Sequence, residues 1–583
     1  MSRNDEVASV LEEYADLMEA KGDAYRPSVY RRAASNVRDA PEAIEDLAAE
    51  GPEALDEIEG VGEGIAGHVL DYLETGTFEE LEDARAELPV EMDELTSVEG
   101  VGPKTVKKLY DALGVRTLDD LERAAEAGEI REVTGFGEKT ERNILDHVDF
   151  ARQAQERTLL GEARPLAEGV VAHLSEASAV DAVEVAGSLR RWRETIGDVD
   201  VLVGSEAGAE VGAHLADWER VERVVETGET KTAVVIDEHR VDLRVVVPAE
   251  FGAALQYFTG SKAHNVTLRS YAIDRGLKVN EYGVFDVRDV DDPDADQRAG
   301  DLLASETEAD VYAALDLPLI PPEMREDRGE IDAATAGDLP DLLREADVRG
   351  DLHTHTEWSD GDDAVAEMVA GAAAFGHEYV CISDHAEGPG VFGDSGLSDA
   401  DLREQADEVD AVREEAEIDV LHGVEANVDA DGEVGAVSDD VLADLDLVVA
   451  SPHSGLGVEA GDATERLIAA VEHPSVDVLG HPSGRLLNGR PAMEFDAAAL
   501  GAAAADAGTA LEVNANYHRL DLWGSAVQAA VDAGATIAID TDAHSPEEYE
   551  QLTYGVHTAR RGWAEAGDVL NARGIDGLRD FLH

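Results

Sequence analysis

Apolar residues recur at helical spacing through the N-terminal part of the chain, as in the stretch Val7–Ala20. Residues three and four positions apart share one face of a helix, so this spacing predicts short amphipathic helices. An apolar helix end, a Gly-x-Gly pair and a second apolar helix follow one another three times, at Leu55–Tyr72, Val98–Leu109 and Val133–Leu145. We therefore predict an α-helical N-terminal region that contains three turns of one design.

The pattern changes to the alternation of strands further along the chain. Apolar runs at Val183–Ala186, around Asp200 and across Thr232–Val247 predict strands. Residues two apart on a strand point to the same side, so Asp198 and Asp200 aim two carboxylates at one point. Asp242 lies inside the third run, where an aspartate is costly unless a metal ion or a partner holds it.

These carboxylates have the chemistry of a magnesium site. Two hard oxygen donors can hold Mg²⁺ against a substrate phosphate. Gly187 and Ser188 precede them and can offer backbone N–H groups and a hydroxyl to phosphate oxygens. The alternative for the Asp-x-Asp pair alone is a solvated strand end in an acidic protein. The upstream Gly-Ser pair and the apolar surroundings of Asp242 favour the metal site.

From Val348 onward, short apolar runs alternate with Ala-rich helical stretches, which is typical of a βα barrel. Seven runs are expected, and residues that commonly bind metals follow nearly all of them. These residues are His353, His355, Asp360, His385, Glu425, His453, His481, Asp542 and His544, with Asn514 after the sixth run. Strand ends of this kind converge on the barrel mouth. Imidazole and carboxylate donors in such number suit Zn²⁺ or Mn²⁺ better than Mg²⁺.

The charge of the chain, taken alone, argues against a nucleic-acid-binding protein. There are 129 acidic and 46 basic residues, so the net charge is −83. Phosphate binding draws on Lys and Arg. Adaptation to high salt gives the same composition, because an acidic surface keeps a protein soluble. Only eight lysines occur and none follows Lys278, which favours this halophilic interpretation. Three of the eight lie at the second Gly-x-Gly turn, so we infer that lysine is kept mainly where a phosphate is expected.

The cysteine content, the N-terminus and the apolar runs indicate the cellular compartment. Cys381 is the one cysteine and lies in an apolar run, so we expect no disulfide and a reducing environment. The N-terminus is polar and acidic, unlike a signal peptide. No uninterrupted apolar run is long enough to span a membrane, which takes about 18 residues. We therefore expect a cytoplasmic protein with no membrane contact.

The three N-terminal turns are similar to helix-hairpin-helix motifs. Glycine lets the backbone turn tightly, and N–H groups at the start of the next helix can then bind a DNA phosphate without reading the base. An ordinary helix–helix turn is the alternative for any one of them. The predicted DNA-binding residues are Gly60, Gly62, Gly100, Gly102, Lys104, Lys107, Lys108, Gly135, Gly137 and Lys139.

Taken together, the motifs resemble the family X DNA polymerases, of the bacterial and archaeal type with a fused second catalytic domain. The segment Tyr257–Arg269 is similar to that family's nucleotide-contacting segment, and Asn280–Gly283 to its thumb. The palm residues that carry the resemblance are Gly187, Ser188, Arg191, Gly197, Asp198, Asp200 and Asp242. The resemblance implies that the three aspartates are catalytic and hold two Mg²⁺ (or Mn²⁺) ions.

The same resemblance implies roles in nucleotide binding. Tyr257 and Phe258 would lie by the sugar, Asn265 at the base edge and Arg269 on the template side; Gly260 belongs to the same segment. Gly187, Ser188, Arg191 and Gly197 would contact the triphosphate. Ile196 stands where the family often has a serine or threonine, so one phosphate contact is expected to be lost.

The C-terminal region resembles the PHP (polymerase and histidinol phosphatase) domain. That resemblance implies a distorted barrel of seven strands with a centre for up to three Zn²⁺ or Mn²⁺ ions. The nine donors named above match its ligand positions without a gap, so we expect an active site. The implied activity is 3′–5′ exonuclease or 3′-end processing.

One departure concerns the first domain. In relatives, a lysine on the helix after the first hairpin forms a Schiff base with a 5′-deoxyribose phosphate. His68 occupies the matching position here, and histidine cannot form that adduct. We predict 5′-phosphate binding through Arg31 and Arg32 with little or no lyase activity. Ion pairing on the helix surface is the alternative for these arginines.

The predicted fold is therefore multidomain. The boundaries are a helical domain with the first hairpin at 1–90, fingers with two hairpins at 91–155, an α+β nucleotidyltransferase palm at 156–250, a thumb at 251–317, a linker at 318–347 and a PHP (β/α)₇ barrel at 348–583.

The predicted function is repair synthesis by a monomer that fills short gaps, of the base excision repair type. Its substrates would be gapped or nicked double-stranded DNA and dNTPs. Three alternatives remain: a PHP phosphoesterase with a silent palm, a small-molecule nucleotidyltransferase and a non-catalytic DNA-binding scaffold.

Overall fold

A computed structural model describes residues 3–582 except 24, 39–43, 45–46, 49–50, 56–57, 59, 97, 99, 156, 294–295, 389–395 and 457–459. The chain forms two compact units. One comprises residues up to Arg157 together with Asn488–Arg490, and the other comprises Thr158–Leu487 with Pro491 onward. Among the described helices, none combines the length and the apolar character that crossing a lipid bilayer requires.

The first unit is helical, as predicted. Its helices are α1 (Arg3–Ala20), α2 (Arg26–Arg38), α3 (Pro52–Leu55), α4 (Glu63–Thr75), α5 (Glu79–Glu87), α6 (Met92–Thr96), α7 (Pro103–Leu113), α8 (Leu118–Glu126) and α9 (Glu138–Gln155), with a 3₁₀ turn at Ile130–Glu132. Leu17, Leu81, Leu109 and Leu121 belong to a core in which each is at most 1% exposed. The amphipathic spacing thus produces the packing that it predicts.

The three Gly-x-Gly pairs form the turns that precede α4, α7 and α9. Their first glycines, Gly60, Gly100 and Gly135, have φ of 80°, 81° and 98°. A side chain would strain the backbone in this left-handed region, which explains the glycine. Gly62 and Gly102 are then the extended N-cap residues of α4 and α7, so unpaired backbone N–H groups begin each helix.

The palm occupies the start of the second unit. Its strands are β1 (Thr158–Leu159), β2 (Ala182–Val185), β3 (Thr195–Ile196), β4 (Val199–Gly204), β5 (Val221–Thr227), β6 (Lys231–Ile236) and β7 (His239–Val246). Its helices are α10 (Leu160–Ser175), α11 (Gly187–Arg190) and α12 (Gly208–Ala216). The main sheet has the order β2-β4-β7-β6-β5, and the central pair β4 and β7 is parallel. Asp198 precedes β4 and does not lie on it, because pairing with β7 begins at Val199.

The thumb follows with helices α13 (Phe251–Thr259), α14 (Lys262–Ile273), α15 (Glu308–Ala314) and α16 (Glu330–Ala336), and strands β8 (Leu277–Asn280), β9 (Gly283–Asp286) and β10 (Asp301–Ala304). The segment 318–347, predicted as a linker, is packed. Ile320, Met324 and Ile331 lie in the same core as Leu268 and Tyr312 of the thumb. The prolines and alternating charges of this segment led to the linker prediction, although its apolar residues pack against the thumb.

The C-terminal domain is a nearly closed barrel of seven parallel strands, as predicted. The strands are β11 (Gly350–Thr354), β12 (Tyr379–Ile382), β13 (Asp419–Val428), β15 (Leu447–Ser451), β16 (Val478–Leu479), β17 (Ala510–Asn514) and β18 (Ile537–Asp540), and the short β14 (Val434–Gly435) pairs with β13. A bridge between Thr354 and Ala543 joins the first strand to the residues after the last. The helices are α17 (Val365–Phe375), α18 (Asp399–Glu415), α19 (Asp439–Leu442), α20 (Ala460–Val471), α21 (Ala497–Ala507), α22 (Gly524–Asp532), α23 (Leu552–Arg561) and α24 (Ile575–Arg579).

Three strands differ from their predicted ends. Glu425 and Asn514 were expected just after strands, but Glu425 lies within β13 and Asn514 is the last residue of β17. β13 is longer because Glu425 pairs with Val449 of β15 and because the strand continues into a hairpin with β14. The fifth strand is correspondingly short and spans Val478–Leu479.

Buried ions join the thumb segment to the barrel. Glu323, at 3% exposure, has its Oε1 2.8 Å from His557 Nδ1 and accepts a hydrogen bond from Arg560 Nε at 2.7 Å. Burial opposes ionisation of Glu323, but His557 and Arg560 hold its pKa at about 2. The barrel helix α23 is therefore held by charge as well as by packing.

A second buried cluster centres on Glu308. Arg190 donates to both carboxylate oxygens of Glu308, at 2.8 and 2.7 Å, and Arg325 donates to the same group at 2.5 Å. Arg325 is completely buried. Glu308 begins α15 and Arg190 ends α11, so this cluster fixes the thumb against the palm.

We expect Glu308→Ala to lower the free energy of unfolding by about 3–5 kcal/mol, because it leaves the buried guanidinium of Arg325 and the partly buried one of Arg190 without a carboxylate. Urea unfolding of the full chain measures the change, with the exposed neighbour Glu306→Ala as control. Equal urea midpoints for the two variants would contradict this prediction.

Candidate active sites

The three palm aspartates meet at the central strand pair of the sheet, near the start of β4. Asp200 on β4 lies directly beside Asp242 on β7 in the parallel register. Arg240 connects the group: its Nε donates to Asp242 Oδ1 at 2.9 Å and lies 3.9 Å from Asp198 Oδ1. Lys231 Nζ lies 3.5 Å from Asp242 Oδ2. The structure thus brings together the three carboxylates that the sequence indicated.

The environment of Asp200 concentrates negative charge. Burial, together with the charges of Asp242 and Asp198, raises the pKa of Asp200 to about 6. A cavity of about 60 Å³ lies against Asp200, Asp242, Lys231 and Phe258. Like charges held this close favour a cation in the cavity, because each carboxylate otherwise makes the others harder to ionise.

Gly187 is required by its distance to Asp200. Its φ is +60°, and a Cβ at this position would lie 2.1 Å from Asp200 Oδ2. The backbone N–H of Ala186 also donates to the Asp200 carbonyl at 2.8 Å. Helix α11 therefore starts with Gly187 close against the Asp200 carboxylate.

Among the predicted nucleotide residues of the segment Tyr257–Arg269, Phe258 lines the cavity beside Asp200. Tyr257 and Phe258 form an edge-to-face pair with ring centroids 5.1 Å apart, and the Arg269 guanidinium lies 5.4 Å from the Tyr257 ring. Asn265 is 8% exposed and its amide donates to the Tyr257 carbonyl at 2.7 Å and the Gly260 carbonyl at 3.2 Å. In this structure Asn265 therefore fixes the turn at Gly260.

Arg191 has protein partners here. Its Nε donates to Glu326 at 2.9 Å and its Nη1 to the Thr259 carbonyl at 2.7 Å. Ile196 is 1% exposed and packs in the palm core, and Gly197 follows it directly. The loss of one phosphate contact at Ile196 stays a prediction.

The barrel brings its donors closer together than the palm does. Among the described residues, three groups have ligand atoms that all lie within 4.8 Å of one another: His355, Asp360, His385 and His544; His353, His355 and Glu425; and His385, Glu425 and His453. The other two predicted ligands adjoin these groups. His481 Nε2 lies 2.9 Å from Glu425 Oε1, and Asp542 Oδ1 lies 3.0 Å from His355 Nε2.

Unpaired buried atoms show that these residues fit metal ions. In the described part of the chain, the buried side-chain atoms that lack a hydrogen-bond partner include His353 Nε2, His355 Nδ1, His385 Nδ1, Glu425 Oε2, His453 Nε2 and His481 Nδ1. Burying so many unpaired donors and acceptors is costly unless ions coordinate them. The three overlapping groups therefore form a possible metal-binding centre.

Several of the basic residues predicted to bind DNA are paired with carboxylates of the N-terminal unit. Arg31 Nη2 donates to Asp16 and to Glu19, both at 2.6 Å. Lys104 lies 3.2 Å from Glu19, and Lys107 pairs with Asp111.

Three further basic residues belong to the predicted DNA-binding set. Lys108 lies 5.7 Å from the Phe136 ring. Lys139 and Arg32 are exposed. Arg31, Lys104 and Lys107 can therefore contact DNA only if a phosphate replaces the carboxylate that each of them now binds.

Four family models match this chain. They are a helix-hairpin-helix domain at residues 2–78, a SAM-like helix-hairpin-helix tandem at 92–149, the DNA polymerase beta thumb at 254–326 and the PHP domain at 351–516. A DNA polymerase/3′–5′ exonuclease PolX of Bacillus subtilis (strain 168) is 35% identical over 582 residues, which are 99% of this chain and 99% of that protein. The chain belongs to the family X DNA polymerases with a C-terminal PHP domain.

Two other relatives match parts of this family X chain. DNA polymerase lambda of Rattus norvegicus is 26% identical over 340 residues, 55% of this chain and 56% of that protein. A probable phosphatase of Shewanella sp. (strain ANA-3) is 34% identical over 136 residues, 22% of this chain and 51% of that protein.

His68 of this family X polymerase is enclosed by aromatic rings. Its Nδ1 lies 3.0 Å from the Tyr30 hydroxyl and its ring stacks on Phe78 with centroids 4.3 Å apart. The position that the resemblance assigns to a Schiff-base lysine thus holds a packed imidazole.

Glu512 is a site residue that the sequence analysis missed. It is fully buried on β17, with its Oε1 2.7 Å from His353 Nδ1, and its other oxygen accepts a hydrogen bond from the His481 backbone N–H. A carboxylate behind a metal-binding histidine fixes the ring and its tautomer. A signal was present, because Glu512 interrupts the apolar run of Ala510–Val513 as Asp242 interrupts its own strand.

We expect Gly187→Ala to lower the free energy of unfolding by about 1–2 kcal/mol from backbone strain alone, and to displace the Asp200 carboxylate. Mn²⁺ titration and thermal unfolding of the full chain measure the two effects. Gly64→Ala is the control, since a Cβ there meets nothing within 4 Å. An unchanged Mn²⁺ titration for Gly187→Ala would show that the close contact with Asp200 does not matter.

We expect Glu512→Ala to weaken metal binding in the barrel about 10- to 100-fold, because His353 loses the partner that orients it. Metal content after dialysis, measured by mass spectrometry, checks this. The exposed Glu415→Ala serves as the matched control. Equal metal retention by both variants would remove the role assigned to Glu512.

Proposed function

We propose that this protein is a DNA polymerase that fills short gaps during repair and that also degrades DNA ends in the 3′–5′ direction. The observation that carries the polymerase assignment is the pairing of Asp200 with Asp242 on parallel strands, next to Asp198. The whole-length similarity to a DNA polymerase/3′–5′ exonuclease supports both activities.

In the palm, Asp198, Asp200 and Asp242 would hold two Mg²⁺ or Mn²⁺ ions. When bound, such ions neutralise the triphosphate and assist deprotonation of the primer 3′-OH. Arg240 and Lys231 now balance part of the carboxylate charge, and they would give way to ions and nucleotide. The backbone at Gly187 and Ser188 would bind phosphate oxygens, and Phe258 would support the sugar.

In the barrel, the nine donors would hold up to three Mn²⁺ or Zn²⁺ ions. Ions of this kind lower the pKa of bound water and clamp a phosphodiester for in-line attack. Glu512 would orient His353. Arg519 Nε lies 3.5 Å from Asp542 Oδ2. From this position the Arg519 guanidinium would donate hydrogen bonds to the scissile phosphate.

The DNA partner would be gapped or nicked duplex held by the three hairpins, with dNTPs as the second substrate. The similarity to a DNA polymerase lambda supports DNA and dNTPs as substrates. We propose further that the enzyme acts as a cytoplasmic monomer adapted to high salt. Removal of a 5′-deoxyribose phosphate would be weak or absent because His68 cannot form a Schiff base.

A PHP phosphoesterase with a silent palm is the second candidate, favoured by the similarity of the barrel to a probable phosphatase. The convergence of all three palm aspartates supports the polymerase over it. The hairpins in the first unit argue against a small-molecule nucleotidyltransferase, which has no use for three phosphate-binding turns.

Single substitutions should separate the two activities. We expect Asp200→Ala to lose primer extension on gapped DNA and keep 3′–5′ degradation, and His353→Ala to do the reverse, because each removes a ligand of one site only. Both are measured in molar KCl, with the exposed Asp181→Ala and the partly buried His473→Ala as controls outside the two sites. Loss of both activities in either folded single variant would refute two independent sites.

A further inference from the structure

A polar cavity of about 450 Å³ lies where the palm meets the barrel. Residues 193–195 of the palm form one wall, and the loop that follows His481 contributes Arg485 and Leu487. The charged and aromatic residues that matter for its chemistry are Arg193, Glu194, Glu326, Arg328, Arg485, Trp523 and Arg561. Neither the palm site nor the barrel centre includes this cavity.

Arginine outnumbers carboxylate around this space. Four arginines line it against two glutamates, and Arg191 adds a fifth guanidinium through its hydrogen bond to Glu326 at 2.9 Å. This reverses the balance of the whole chain, which has 129 acidic and 46 basic residues. A local excess of positive charge in so acidic a protein indicates an anion as the missing partner.

The two glutamates are shared among several guanidinium groups. Glu326 Oε1 lies 3.3 Å from Arg561 and 3.8 Å from Arg193, in addition to its bond with Arg191. Glu194 Oε2 lies 3.6 Å from Arg193 and 3.8 Å from Arg561. One carboxylate per two or three cations leaves the cluster under-neutralised.

Arg328 and Arg485 rely on backbone carbonyls. Arg328 Nη2 donates to the Arg561 carbonyl, and Arg485 Nε donates to the Arg519 carbonyl at 2.6 Å. Among the described residues, no carboxylate oxygen lies within 4.0 Å of either guanidinium. The Nε atoms of Arg328 and Arg561 are buried and have no hydrogen-bond partner in the described part of the chain. Arg561 is only 4% exposed.

The acid–base behaviour of the cluster agrees with its geometry. Burial lowers the pKa of Arg328 and the positive charge of Arg561 lowers it further. Burial opposes ionisation of Glu194, but Arg561, Arg193 and Arg485 hold its pKa at about 2. Bringing an anion into the cavity would relieve the repulsion among the guanidinium groups.

We propose that this cavity binds a phosphate group carried by a free nucleotide or by a DNA strand. Guanidinium groups match phosphate oxygens with two parallel N–H donors, and they remain charged at any physiological pH. The volume is within the range of pockets for small ligands, about 300–1,000 Å³. The Trp523 indole, 5.3 Å from the Arg485 guanidinium, supplies a flat surface on which a base can stack.

The cavity is lined by segments that also carry residues of the two candidate active sites. Glu194 precedes Asp198 by four residues, and Arg485 follows His481 by four residues. The same two segments that carry a palm carboxylate and a barrel ligand therefore line the cavity. A phosphate bound here would be placed on the connection between the two candidate sites.

The test is a binding measurement on the full chain in EDTA, so that neither catalytic activity contributes. The probes are deoxyadenosine monophosphate and a fluorescein-labelled oligothymidylate, each titrated over a KCl series. The variants are Arg328→Gln, Arg485→Gln and, at the rim of the cavity, Arg193→Gln. Arg579→Gln is the matched control, because it removes an arginine from an exposed pair with Asp419. Circular dichroism and thermal unfolding establish that each variant is folded.

We expect about tenfold weaker binding of at least one probe by Arg328→Gln and Arg485→Gln, which corresponds to about 1.4 kcal/mol. For the oligothymidylate, the slope of log Kd against log salt should fall by about 0.7–1 per arginine removed. Weakening for the monophosphate alone identifies a nucleotide site, and weakening for the oligonucleotide alone identifies a strand site.

Two results overturn the proposal. One is that the folded variants bind both probes as the wild type and Arg579→Gln do, in which case the arginines serve only to join palm and barrel. The other is that the wild type binds neither probe. Arg193 has a 42% exposed side chain, so Arg193→Gln keeps the test decisive if the buried substitutions prevent folding.

Discussion

Repulsion among acidic side chains held at fixed positions is the constraint on which much of this molecule depends. The parallel pairing of β4 and β7 places Asp200 against Asp242, and the fold cannot separate them without breaking the central ladder of the palm. The barrel instead crowds histidine rings around the buried Glu425, and several of their ring nitrogens have no hydrogen-bond partner in the described part of the chain. In both places the backbone determines the spacing, and cations are needed to make the spacing favourable.

Much of the fold could be predicted because it depends on local pattern. Period-two alternation located β4 and β7, and the recurring Gly-x-Gly pairs located three turns whose first glycine has a positive φ. The nine barrel donors could be recognised because each follows or interrupts an apolar run. The strand containing Glu425 was predicted too short, because its extension depends on pairing with β14 and β15, which no local pattern records.

What the sequence did not indicate are contacts between distant segments. Glu512 and His353 are 159 residues apart, and only closure of the barrel brings them within 2.7 Å. Arg191 and Glu326 are likewise far apart in the chain and adjacent in space. Pairing of Arg31 with Asp16 and Glu19 depends on how α1 and α2 pack. Such partners depend on tertiary geometry, so residue type alone suggests a role but does not exclude a local partner.

The ion pairs of Glu323 with His557 and Arg560 have a consequence for the history of the two catalytic domains. A chain that ended after the thumb would keep Glu323 without its cations, and a barrel expressed alone would present Arg560 and Arg561 to solvent without their carboxylates. Exchange of one domain for a homologous module would meet the same mismatch. Substitution of Glu323 is therefore constrained by its charged partners His557 and Arg560 in the barrel, and substitution of either partner is constrained by Glu323.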